Sequence, residues 1–154
     1  MNPDLIRIHA DLLRQLRAFN LSRIANLSDE QLLIVPDGFG NNLLWNLAHL
    51  VVTQQLLIYG RSGLPMYVDE RMIAENRKGT SPESWTTPPD VAEVKALLLD
   101  LPTRMGEDAE HFASYDPYPT STGITLSTLD DALRYNLHHE GLHGGAMATL
   151  LRFV

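Results

Sequence analysis

The chain has 154 residues, 44 % hydrophobic and 20 % charged, the make-up of one ordinary globular domain spanning residues 1–154. Its net charge of −7, with Lys and Arg scattered singly, argues against a nucleic-acid backbone or an anionic membrane surface as partner. With no cysteine, disulfides, thiolate ligands, iron–sulfur clusters and a cysteine nucleophile are excluded, so any sulfur chemistry must use sulfur carried by a substrate.

The N-terminus, Met-Asn-Pro-Asp-Leu-Ile-Arg-Ile-His, has no basic region ahead of an apolar run; no secretory signal is visible and the expected location is cytoplasmic. Residues 3–25 read as a first helix in which Leu5, Ile8, Leu12, Leu16 and Phe19 form the apolar stripe and Arg7, Arg14 and Arg17 take other faces. His9, close to that stripe, reads as a packing histidine. Residues 26–40 form a connection with one short helical turn at 29–34. Asn41 or Asn42 caps a second helix that runs to about Tyr59 and ends at Gly60 and Gly63. Its apolar part, residues 43–59, carries Asn46, His49, Thr53, Gln54 and Gln55, which makes it too short and too polar to span a membrane. His49 has few polar neighbours there and is expected inside.

Residues 61–89 lack sustained periodicity, apart from a short turn of helix at 71–76, and a connection this long crosses the bundle or covers a site. Trp85 either pins this loop or lines a pocket. A third helix opens at Asp90, with Glu93 at capping-box spacing, or at Thr87-Pro88. Val91, Val94, Leu98, Leu101, Met105 and Phe112 give it bundle spacing, and Pro102 is expected to kink or divide it near Asp100. His111 reads as solvated. After a loop at 115–125, Ser127 with Asp130 opens a last helix that runs to the chain end. No repeat, phosphate loop or strand-like alternation stands out. The fold class is all-α: a four-helix bundle with a long crossover between helices 2 and 3.

The last helix carries the chemistry. His139 and His143 are four residues apart, about 40° round a helix and roughly 6 Å along it. They share a stripe with Leu129, Ala132, Asn136, Met147 and Leu150, so both project into a core. Together with His49 they make three buried imidazoles, and three protein nitrogens with an open position is the catalytic type of metal site. Neutral imidazole suits zinc, nickel, copper or ferrous iron. His138 faces away from the stripe. His139-Glu-Gly-Leu-His143 also matches the H-E-x-x-H signature of zinc peptidases. No His, Asp or Glu follows to supply their third ligand, and no strand is evident to hold a peptide. Glu140 is either a general base acting on a metal-bound water or a carboxylate that orients a histidine.

Asn46-Leu-Ala-His49-Leu-Val-Val-Thr-Gln-Gln and His139-Glu-Gly-Leu-His143-Gly-Gly-Ala-Met resemble the DinB/YfiT-like superfamily. The length, the helix layout and the crossover resemble it too, and Gly145 fits its terminal His-x-Gly pattern; Pro102 is a departure. The resemblance implies a divalent metal ion, often zinc or nickel, held by His49, His139 and His143, and frequent homodimers. It also implies a thiol-dependent S-transferase or isomerase using a low-molecular-weight thiol such as bacillithiol or mycothiol. Arg61, Arg71, Arg77, Lys78 and Arg134 are the cations available to a thiol that bears carboxylates. The other readings are metal-dependent hydrolysis of a small substrate with Glu140 as base, and a non-catalytic metal-binding stress-response protein. Nothing suggests DNA contact.

Overall fold

A computed structural model describes residues 2–154. Helix α1 (Pro3–Arg23) starts where Asn2 accepts the N–H of Asp4 and Pro3 takes the first position, which needs no donor. Ser28 and Gln31 cap each other at the start of α2 (Asp29–Leu33). In α3 (Leu43–Gln54) the cap is Asn42, whose side chain accepts the N–H of Trp45. This helix continues through a π turn, Gln55–Tyr59, and a 3-10 turn, Gly60–Ser62. Gly60 keeps a right-handed conformation, so only Gly63, with φ of +71°, acts as the stop.

The crossover holds α4 (Glu70–Asn76) and a 3-10 turn, Pro82–Ser84. Asp90 caps α5 (Val91–Glu107), and the second loop holds a two-residue antiparallel hairpin, β1 (Tyr118–Pro119) with β2 (Thr125–Leu126). The last helix, α6 (Leu129–Leu150), opens one residue later than expected. Thr128 and Asp131 offer the same spacing as Ser127 and Asp130, and the Asp131 carboxylate takes the N–H groups of both Ser127 and Thr128. The four long helices close a ring: α1 lies along α5, α5 packs on α3, α3 on α6, and α6 returns to α1.

Two expectations fail, and one residue explains both. The inward face of α1 is Ile6, Ala10, Leu13 and Arg17, whereas Ile8, Leu12 and Phe19 are 63, 43 and 62 % exposed. A guanidinium buried without partners would be too costly to sit here. Arg17 is fully partnered: Nε and Nη2 donate to Glu140 Oε1 at 3.1 and 2.7 Å, and Nη1 to Gln54 Oε1 at 2.7 Å. Nη2 also donates to Leu50 O at 2.9 Å. With the Leu98 carbonyl of α5, which Arg17 also reaches, these groups form a polar layer drawn from all four long helices, between two apolar clusters. One cluster contains Ile6, Leu13, Ile58 and Leu133; the other contains Ile24, Leu47, Leu98 and Met147.

The second expectation concerns a kink or division at Pro102, and the division does not occur: α5 runs from Val91 to Glu107 with Pro102 inside it. Proline lacks the N–H that would have bonded the carbonyl four residues back, at Leu98. Arg17 Nη1 donates to that carbonyl at 3.4 Å instead.

Candidate metal centre

Helices α3 and α6 run antiparallel, so Asn46 meets His143 while His49, one turn on, meets His139. The ring centroids of His49, His139 and His143 lie 5.1, 4.8 and 4.5 Å apart in pairs. One nitrogen from each falls within 4.8 Å of the others, and among the described residues these three are the one such group of potential metal ligands. The three histidines converge as expected, but only His49, 4 % exposed, is fully buried; His139 and His143 are half-buried.

Hydrogen bonds behind the rings fix which nitrogen faces the centre. His49 Nδ1–H donates to the backbone carbonyl of Asn76 at 2.7 Å, and a carbonyl only accepts. His143 Nδ1–H donates to Asn46 Oδ1 at 2.7 Å. The orientation of that carboxamide is set in turn, because its nitrogen donates to Asn42 O at 2.7 Å and to Asn41 Oδ1 at 3.1 Å. Both histidines therefore point an Nε2 lone pair inward, which is the arrangement metal-ligating histidines adopt.

His139 Nε2 lies 3.3 Å from His49 Nε2, while its own Nδ1 is buried without a partner. Two nitrogens bound to one tetrahedral zinc ion at about 2.0–2.1 Å stand roughly 3.4 Å apart. That pair therefore has the spacing of a small divalent ion's ligands, and His49, His139 and His143 are the residues that could hold one.

Burial gives all three imidazoles reason to stay neutral. It pushes His139 down to about 3, with His143 and His49 adding to the effect, and His143 down to about 4, with His49 adding. His49 is lowered by burial against the opposing hydrogen bond to Asn76. Between these values and the ordinary 6.5 the unfolded chain binds more protons than the folded one, so stability falls as pH drops below 6.5. Ion-free protein in chelator should melt progressively lower from pH 7 to pH 4. A His139→Ala, His143→Ala double variant should show a shallower fall, and parallel curves would remove the histidines from the account.

Several supporting residues gave little signal in the sequence. Trp45 stacks on His49, ring centroids 4.7 Å apart and planes within 10°, and its Nε1–H donates to Thr80 Oγ1 at 3.0 Å. Trp85 proves to be an anchor: its Nε1–H donates to Asn76 Oδ1 at 2.9 Å, steadying the residue whose carbonyl holds His49. Asn46 could have been found from its position three residues before His49, on the same helical face. Asn76 acts through its backbone, which no side-chain pattern encodes. Asn46→Leu should weaken divalent-ion affinity about 10- to 100-fold. Competition against a chromophoric chelator measures this, and unchanged affinity would show that His143 needs no such partner.

The other candidates lie elsewhere. His138 is exposed, as expected, and His111 is a surface residue beside Asp108. His9 Nδ1–H donates to Leu5 O at 2.8 Å, in keeping with a packing role. Glu140 does not face solvent near the ligands: it is 1 % exposed, its Oε1 is engaged by Arg17, and its Oε2 is buried without a hydrogen-bond partner. Of the five cations, Arg71 pairs with Glu75, Arg134 with Asp130, and Arg61 lies over the Tyr118 ring. Arg77 and Lys78 make no ion pair among the described residues, and they directly follow Asn76. No helix among the described residues is long and apolar enough to cross a membrane.

A family model described as the DinB superfamily matches residues 12–147. No curated protein matches the chain.

Proposed function

The chain belongs to the DinB superfamily, and from that premise we propose that it is a divalent-metal protein that transfers or isomerises groups on a low-molecular-weight thiol. The observation that carries the reading is the convergence of two Nε2 atoms at 3.3 Å with a third imidazole beside them, each held from behind or at least half-buried. A divalent ion held there, zinc or nickel by the family resemblance since imidazole donors alone also suit copper and ferrous iron, would lower the pKa of a thiol that joined it and so favour a thiolate nucleophile near neutral pH.

The protein's own residues do the rest. His49, His139 and His143 supply neutral lone pairs, while Asn76 and Asn46 hold two of the rings in the productive tautomer. The chain has no cysteine, so the sulfur belongs to a cosubstrate. Arg77 and Lys78, free of ion pairs and next to the residue that orients His49, are the cations we assign to a carboxylate on that thiol. We assign Glu140 to Arg17 as its counter-ion; the general-base role gains no support from a carboxylate so engaged. A homodimer fits the exposed Ile8, Leu12 and Phe19 along α1, and a cytoplasmic location fits the thiol pools that such an enzyme would draw on.

Cobalt-loaded protein should develop a sulfur-to-metal charge-transfer band when titrated with cellular thiols, strongest for one bearing carboxylates. Silence across a panel of cellular thiols, with cobalt bound at one per chain, would overturn the thiol reading. It would leave the metal site standing.

A further inference from the structure

Thr53 lies one turn beyond His49 on α3, on the same face, and is half-buried. A helical threonine commonly turns its hydroxyl back to the carbonyl four residues before it. Here the hydroxyl lies 3.3 Å from the His49 ring, at Nε2, instead. The proton count on that ring is settled, because Nδ1 donates to the Asn76 carbonyl and Nε2 therefore offers only a lone pair. The Thr53 O–H is the donor of this contact.

The same lone pair is the one His49 would give to an ion. Once it is given, the hydroxyl loses its acceptor while remaining fixed by the helix at the edge of the histidine cluster. Its neighbours across that cluster, His139 and His143, present nitrogens that are committed in the same way and offer it nothing. We infer that Thr53 is the hydrogen-bond donor to whatever group occupies the open position beside the three histidines, and specifically to the sulfur of a thiol bound there. The inference rests on the metal reading above and extends it to a fourth residue of the site. A donor to that sulfur favours the thiolate and fixes the direction of its remaining lone pairs, so Thr53 would help to set which electrophile geometry reacts.

The test compares cobalt-loaded wild type, Thr53→Val and Thr53→Ser, titrated with 2-mercaptoethanol. Cobalt per chain, the dissociation constant and the charge-transfer energy are read together. Valine keeps the branched shape and removes the donor; serine keeps the donor. The valine variant should hold one cobalt per chain, bind the thiol about three- to tenfold more weakly, the worth of one neutral hydrogen bond, and move the band to lower energy. Serine should restore both. Binding and band unchanged in the valine variant overturn the inference, with the metal site intact. Loss of cobalt from that variant also overturns it, because the hydroxyl would then serve the histidines rather than the ligand. Wild type that holds no cobalt defeats the metal reading itself, and this inference with it.

Discussion

Arg17→Leu is expected to lower folding stability by about 3–5 kcal/mol, a large share of the roughly 5–15 kcal/mol that holds a domain together. The loss comes less from the attraction removed than from what is left behind. Glu140, 1 % exposed, would be stranded without its counter-ion, and Gln54 Oε1, Leu50 O and Leu98 O would lose their donor. Burial already pushes the Glu140 carboxyl up, against the pull of Arg17. Without the guanidinium it would take a proton to stay inside.

Adding Glu140→Leu to Arg17→Leu should recover part of the loss, because an apolar pair of similar size no longer strands a charge. Adding Pro102→Ala as well should recover more, since alanine gives α5 the N–H that Leu98 O needs. Urea unfolding of the series measures each step. If proline replacement helps the wild type as much as the double variant, Arg17 is not standing in for the missing donor. Because Glu140 sits beside His139 in sequence, ion content should be followed in the same series: on this account Glu140→Gln destabilises the fold and leaves ion affinity nearly unchanged.

The second large effect comes from the ion. Zinc at about a thousand times its dissociation constant should add roughly 4 kcal/mol to the folded state. For a chain of this size that is about 8–16 °C in melting temperature. His49→Ala, His139→Ala and His143→Ala should each abolish the rise. The His49 variant is the most informative, because it removes the ligand that α3 contributes and leaves the α6 pair intact. A rise that persists in that variant would assign the ion to His139 and His143 with some other donor.

How much of this could be read in the sequence differs from residue to residue. The caps at Asn42 and Asp90 and the inward stripe of α6 follow local rules that a sequence displays directly, and so did the three histidines. The inward face of α1 did not. Ile8, Leu12 and Phe19 repeat at helical spacing as well as any core stripe, and only the long-range partnership of Arg17 with Glu140, 123 positions away, decides that the neighbouring face turns inward. The continuity of α5 through Pro102 escaped for the same reason, since the substitute donor comes from another helix. At the site, Asn76 serves through a carbonyl, and Thr53 looks like any polar residue on a helix until its neighbour's tautomer is known.

The central claim is that the three imidazoles share one ion, and the most direct measurement is the divalent-metal content of untagged protein after exhaustive dialysis, taken side by side with the His49→Ala variant. The account predicts about one ion per wild-type chain and close to none in the variant. Equal content in the two, or none in the wild type even after incubation with zinc or nickel, would contradict it.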